Sequence, residues 1–320
     1  MTLASLIQDK LDAKRIVIMD GATGTEIARR GITIHGDRTW SANANMLFPD
    51  QVRNIHQDYI RAGAEIITTN TFSTSRNTLA IDQLSEQTEE INKQSVKLAM
   101  DARENCDAEQ TVLVAGSVAA FEPFKGYVEI SHSYGEILED YREQISILAE
   151  AGVELIVLEM FFRTVDLRAA VTAATETGLP VWVGLSCESH EGQLYLGLQG
   201  RHGGETIADA VNASLSPNVK AYCIMHSPPQ VTADALLELK VCTSLPIGAY
   251  AHGGSIEDEI GQAPRIPRDG QSHAGTGPEQ YLDYAHQWVE CGATIIGGCC
   301  GITPEHIRVL TASNLRGTDS

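Results

Sequence analysis

For its size, this chain is short of positive charge: 23 Lys and Arg stand against 42 Asp and Glu, a formal net charge of −19. A nucleic-acid backbone or an anionic membrane surface as the main partner would call for basic patches, so this balance argues against both. The plainer meaning of the acidity is solubility. Long apolar runs are also missing, since no stretch approaches the ~18 residues that a membrane span requires. The opening "MTLASLIQDKLDAKRIVIMD" carries charges throughout and lacks the uninterrupted apolar core of a signal peptide. Together these absences give the expectation of a cytoplasmic protein. In a reducing compartment seven cysteines do not read as a disulfide framework. No Pro/Ser-rich linker divides the sequence, which leaves residues 1–320 as one domain. The dinucleotide fingerprint G-x-G-x-x-G is absent too, because "DGATGTE" does not match it.

What is present is a repeat. Short apolar, often β-branched runs recur: "IVIMD" (16–20), "AEIITTN" (64–70), "TVLVAGS" (111–117), "ELIVLEM" (154–160), "PVWVGLSC" (180–187), "VKAYCIM" (219–225), "LPIGAYA" (245–251) and "ATIIGGCC" (293–300). Runs of this kind suit buried parallel strands. Between them lie amphipathic stretches such as 49–64, 134–152 and 277–293. "AGA", "AGV" and "CGA" put a glycine just past three of these helices. Thr303 followed by Pro304 reads as an N-cap and first helical residue. Eight strands alternating with helices predict an α/β fold, a (β/α)8 TIM barrel in a single domain. Three long segments, 21–48, 119–133 and 252–276, follow strands and fall on the C-terminal face, where barrels of this kind put their chemistry.

The strand tips carry Asp20, Asn70, Ser117, Glu159, Cys187, Cys223, Tyr250 and the pair Cys299-Cys300. Strand ends are polar because they meet water, but that explains the acids and amides better than the cysteines. Three thiolates from Cys223, Cys299 and Cys300 plus one open position would suit a catalytic zinc ion and a thiol ligand. The spacing is not that of a C-x2-C site, so a vicinal disulfide or two core cysteines remain open. His226, in "CIMHSPP", is a rival fourth ligand or a plain strand-to-helix loop residue. Cys106, Cys242 and Cys291 read as core or surface thiols. Glu159 is a candidate partner for a substrate ammonium or a base, with a salt bridge to Arg163 as the bland alternative. Asp20 and Gly21 fit either an Asp-Gly turn or a backbone nest for a carboxylate.

With those residues in view, the chain resembles the zinc-dependent homocysteine S-methyltransferase family from end to end. "MDGATGTE", "WSAN" with "IHQDYIRAGAEIITTNTF", "VAGSV", "VLEM" and "IIGGCCGITPEHI" carry the resemblance, in order along the chain. It implies Zn2+ on Cys223, Cys299 and Cys300. It also implies homocysteine as the thiol, methionine as the product, and direct displacement of a methyl group from an activated donor. Glu159, Asp20 and Gly21 fall where the family recognises the amino-acid end, and Asn70 and Ser117 at further positions of the mouth. The sequence carries no cobalamin or folate domain of the large methionine synthases. The implied donor is therefore small: S-methylmethionine, S-adenosylmethionine or a betaine. A homo-oligomer is compatible with an acidic barrel. The chain departs from the family's "GxNC" with "KAYC", where Tyr222 replaces Asn, from "YPN" with "YAHGG", which brings in His252, and at Met160 after the fourth-strand Glu. Another thiol or selenol acceptor, a purely structural zinc site, and a redox role for the cysteine pair are the competing readings.

Overall fold

The computed structural model describes residues 2–32, 39, 41–121, 132–198, 201–253, 276–313 and 315, with nothing described of the Arg201 side chain. Trp40 of "WSAN", and most of the long segments after the third and seventh runs, lie outside the described residues.

The eight runs form one parallel sheet. Its strands are β1 (Val17–Ile18), β2 (Ile66–Thr68), β3 (Leu113–Ala119), β4 (Leu155–Phe161), β5 (Val181–Leu185), β9 (Val219–Met225), β10 (Ile247–Tyr250) and β11 (Ile295–Ile296). The order β1-β11-β10-β9-β5-β4-β3-β2 puts the first strand at one edge and the second at the other. A parallel bridge between Met19 and Ile66 joins those edges. Two backbone hydrogen bonds, Asp20 N to Ile66 O at 2.9 Å and Glu65 N to Ile18 O at 2.8 Å, flank that bridge and close the barrel. Closure removes the exposed strand edges that an open sheet would leave.

At least one helix lies between each pair of consecutive barrel strands. After β1 come α2 (Thr23–Arg29), α3 (Ala44–Leu47) and α4 (Pro49–Arg61); after β2, α5 (Arg76–Ala80) and α6 (Thr88–Glu104). Then α7 (Tyr134–Ala151), α8 (Thr164–Glu176), α9 (Ile207–Ala213), α10 (Pro229–Cys242), α11 (Pro278–Glu290) and α12 (Pro304–Ala312) alternate with the remaining strands. An N-terminal helix, α1 (Leu3–Asp12), is tied to the start of β2 by an ion pair between Lys10 and Glu65. The helix α4 shows why the sequence folds this way. Its buried residues Val52, Ile55, His56, Tyr59 and Ile60 recur at helical spacing and face the sheet. The α7 helix starts on a Ser133/Glu136 capping box and stops at Gly152, whose φ of 104° is a left-handed cap. Thr303 caps α12 with Pro304 at its first position, as the sequence indicates.

One element was not expected. The fifth run ends as a barrel strand at Leu185, and Cys187 instead opens an antiparallel ribbon. The ribbon consists of β6 (Cys187–His190), β7 (Gln193–Leu198) and β8 (Arg201–His202), in that order. Its first turn is Glu191-Gly192, with φ of 52° and 78°. Positive φ at both central residues is the signature of a type I′ hairpin. Glu205, just past the ribbon, accepts hydrogen bonds from the N–H and hydroxyl of Thr164 at the start of α8. No described helix is long and apolar enough to cross a membrane.

Candidate metal centre

The strand β9 is flanked in register by glycines, since Cys223 pairs with Gly184 on β5 and Gly248 on β10. A Cβ added at Gly248 would stand 2.9 Å from the Cys223 sulfur, so the thiol fills room that the glycine leaves inside the barrel. Cys223 is buried, and burial, with the nearby Glu159 charge, pushes its thiol well up. Its neighbour Tyr222 points the other way, to the Ser214 hydroxyl at 2.9 Å behind the sheet. The Tyr222 departure from the family pattern therefore concerns packing against the end of α9 rather than the mouth.

The ladder gives out after Met225. His226 takes a left-handed φ of 49°, a conformation that costs a non-glycine residue about 1–2 kcal/mol. Such outliers persist where the surroundings hold them, often at functional sites. Here the turn directs the imidazole across the mouth to the cysteine pair.

That pair lies beyond the end of β11. Ile302 N donates to Cys299 O at 3.1 Å, closing a turn in which Gly301 has φ of 77°. Gly298 lies directly against the Ile302 side chain, where a Cβ would overlap it. Because Cys299 and Cys300 sit in a turn and not in a strand, alternation no longer separates them. Their sulfurs are 3.6 Å apart. His226 Nδ1 is 3.4 Å from the Cys299 sulfur and 3.8 Å from that of Cys300. Among the described residues this is the group of three or more His, Cys, Asp or Glu donors gathered within 4.8 Å. Cys223 is not in it.

The three distances carry chemical meaning. Zn–S bonds of about 2.3 Å and Zn–N bonds of about 2.0–2.1 Å at a tetrahedral angle give donor–donor edges of about 3.6–3.8 Å. The observed triangle matches one face of such a tetrahedron and leaves one vertex for an exogenous ligand. Two soft sulfurs and an imidazole suit zinc. A hydrogen bond from Cys300 and the charge of His226 hold the Cys299 thiol well below its ordinary range, against the opposing effect of burial.

Around this triangle the mouth is acidic. Glu159 is buried, and burial raises its carboxyl to about 7, while a hydrogen bond from the Ser117 hydroxyl opposes the shift. Glu159 sits at a bulge in β4, where Met160 has φ of 60° and the register to β5 slips. The bulge breaks the strict alternation of the strand at the carboxylate. Arg163 does not pair with Glu159. It binds Asp166, with NH2 to Oδ2 at 2.6 Å, and reaches the Phe121 carbonyl. Asp20 accepts from Thr68 N at 2.8 Å, and burial pushes its carboxyl well up, with Glu159 adding to the shift. Burial, then the charges of Glu159, Cys223 and Cys299, push the Tyr250 phenol up.

Packing and hydrogen bonds tie the other residues read from the sequence into the mouth. A Cβ on Gly21 would run into Ile302 O and the Tyr59 ring, so close packing there calls for a glycine. Asn70 donates to Ser41 O at 2.7 Å and Asn45 Oδ1 at 3.0 Å, fixing α3 and the segment before it. Cys187 is buried and donates its backbone N–H to Ser227 Oγ at 2.9 Å. His252 brings its ring to 5.5 Å from that of His226, at the rim of the metal centre. The signal for His226 was present in the sequence: it is the first residue past the run 219–225, whereas Cys223 lies two residues inside it.

A family model described as Homocysteine S-methyltransferase matches residues 17–313. The chain belongs to the homocysteine S-methyltransferase family. Similar proteins include a selenocysteine methyltransferase of Astragalus bisulcatus, 29% identical over 95% of this chain and 94% of the relative. A homocysteine S-methyltransferase of Escherichia coli (strain K12) is 30% identical over 94% of this chain and 96% of its own length. The metallated crystal structure of the homocysteine methyltransferase MmuM from Escherichia coli superposes with a TM-score of 0.76 at 28% identity, covering 94% of this chain and 97% of that one. Membership makes this S-methyltransferase an enzyme of methyl transfer to a thiol or selenol acceptor, with zinc as its cofactor. Its (β/α)8 barrel is the architecture that the eight runs indicate.

Proposed function

We propose that the chain transfers a methyl group from a small onium donor to homocysteine, giving methionine, and that His226, Cys299 and Cys300 hold the zinc. The observation that carries this reading is the donor triangle with edges of 3.4, 3.6 and 3.8 Å. Zinc supplies a Lewis acid that keeps a thiol or selenol as its anion at neutral pH. The ligand set implied by the resemblance, with Cys223 as third sulfur, is the alternative. It is disfavoured because Cys223 is not among the donors gathered within 4.8 Å of one another.

The protein's own residues bind and orient. Glu159 and Asp20 offer two buried carboxylates to the acceptor's ammonium group, whose charge would draw both to the ionised form. Ser117 and Thr68 hold those carboxylates by hydrogen bonds. In the displacement, the acceptor's sulfur forms a bond to the methyl carbon as the donor's onium bond breaks. The bonding pair leaves with the donor, which departs neutral or zwitterionic. The acceptor's thiol proton has already gone to solvent.

S-methylmethionine, S-adenosylmethionine and a betaine are the candidate donors. The selenocysteine relative makes a selenol the second acceptor to test. The homocysteine-binding barrel is taken to span residues 1–320. The seven free cysteines are consistent with a cytoplasmic location. The test is incubation of the zinc-loaded protein with homocysteine and each donor in turn, with methionine read by mass spectrometry. Product only from selenocysteine or another thiol would overturn the acceptor assignment.

A further inference from the structure

Behind the backbone that carries the cysteine pair, one side-chain hydroxyl adds to the main-chain hydrogen bonds that hold it. Tyr281 lies on α11, fully buried on the helix side of the sheet. Its phenol oxygen is 2.8 Å from Gly297 O and 3.1 Å from Ala251 O. Gly297 stands two residues before Cys299. Ala251 O also accepts from Cys299 N at 3.0 Å. One proton donor thus spans the two segments that leave β10 and β11 for the metal centre. Both segments run past their named strands, where the ladder no longer fixes them alone.

The ring itself is held on two sides. Trp288 meets it edge-on at 5.2 Å and 81°, and His306 at 5.9 Å and 87°. His306 is locked in turn, with Nδ1 2.9 Å from the Thr303 hydroxyl and Nε2 2.8 Å from Thr276 O. Thr303 and His306 form the capping box of α12, which starts directly after the "GGCCGI" turn. The hydroxyl is therefore anchored through elements on both sides of the cysteines.

We propose that Tyr281 is a positioning residue for the metal centre, its hydroxyl setting the turn that presents Cys299 and Cys300 to His226. This rests on the reading of those three residues as the zinc donors. Groups that hydrogen-bond the ligands themselves typically contribute about 10–100-fold to metal affinity, and Tyr281 acts one step further out, so the low end of that range is expected. Loss of the Tyr281 hydroxyl leaves Gly297 O without that donor, while Ala251 O keeps Cys299 N.

The test compares Tyr281→Phe with wild type in the full chain, by zinc affinity in competition with a chromophoric chelator and by the ligand-field spectrum after cobalt substitution. Thermal unfolding of the metal-free proteins runs alongside. Tyr281→Phe should weaken zinc binding about tenfold and shift the cobalt bands, with little change in metal-free stability. Trp288→Phe, which loosens one side of the ring's packing but keeps the hydroxyl, should lower stability and weaken zinc binding less than Tyr281→Phe does. Equal zinc affinity in wild type and Tyr281→Phe would overturn the proposal. So would a Tyr281→Phe protein that fails to fold, since the role would then be structural. A wild-type protein that binds no zinc would instead overturn the donor assignment beneath it.

Discussion

His226 Nδ1 lies 3.4 Å from the sulfur of Cys299, although 73 residues and two barrel strands separate them in the chain. The left-handed turn at residue 226 and the glycine-framed turn at 297–301 bring the two together. This relationship gives the proposed metal centre one nitrogen and two sulfurs, and the predictions below follow from it and from its setting.

His226→Ala should lose most of its zinc after dialysis against a weak chelator, and Cys299→Ala should do the same. Cys223→Ser should retain zinc near one equivalent, because that side chain is outside the donor triangle. Metal analysis of the three variants checks this. Full zinc in His226→Ala together with loss in Cys223→Ser would return the third donor to Cys223.

Glu159→Gln should raise the KM for the thiol acceptor while zinc content stays at the wild-type level. A hydrogen bond between charged groups is worth about 1.5–3 kcal/mol, so kcat/KM should fall by about 10–150-fold. Steady-state kinetics with homocysteine, and with a thiol that lacks the amino group, is the measurement. The amine-free thiol should show a much smaller penalty. An equal penalty for both thiols would remove Glu159 from ammonium recognition.

Gly298→Ala should disrupt the metal centre, because its Cβ would occupy the space of the Ile302 side chain. Overpacking of this kind costs about 1–3 kcal/mol. Ile302 O also accepts from Ala22 N at 3.1 Å and from Tyr59 OH at 2.8 Å, so the shift would be transmitted to the first strand's loop. Lower thermal stability together with weaker zinc binding is expected. Wild-type values of both would show that Ile302 gives way freely.

Acid should destabilise the fold through His56, whose two ring nitrogens find no hydrogen-bond partner among the described residues. Burial lowers its pKa from 6.5 to about 4. Below pH 6.5 the unfolded chain binds the proton and the folded protein does not. Stability therefore falls as pH drops from 6.5, and the part of that fall due to His56 levels off below about pH 4. The loss between pH 7 and pH 5 is about 2 kcal/mol. Urea unfolding of wild type and His56→Leu at the two values measures it. His56→Leu should show the smaller drop, and an identical drop would remove His56 as the cause.

The barrel was legible because buried parallel strands are apolar on both faces and leave a strong signal in the sequence. The antiparallel ribbon was not, because Glu191-Gly192 is a weaker turn signal than Asn-Gly or Asp-Gly. The short apolar run "LYLGL" in the ribbon also lies inside what reads as an ordinary strand-to-helix connection. The cysteine pair was legible from its glycine frame. The third donor was harder, since a sequence marks where a strand's apolar run ends but not which way the next residue turns. Met225 ends β9 on schedule, and the left-handed φ at His226, set by the tertiary fold, gives the imidazole its direction.

Zinc K-edge X-ray absorption tests the central claim most directly, because it counts the sulfurs around the metal. The zinc-loaded protein should show two sulfurs at about 2.3 Å with nitrogen or oxygen completing the shell, and three sulfurs after homocysteine is added. Three sulfurs before homocysteine, or an unchanged count after it, would contradict the account.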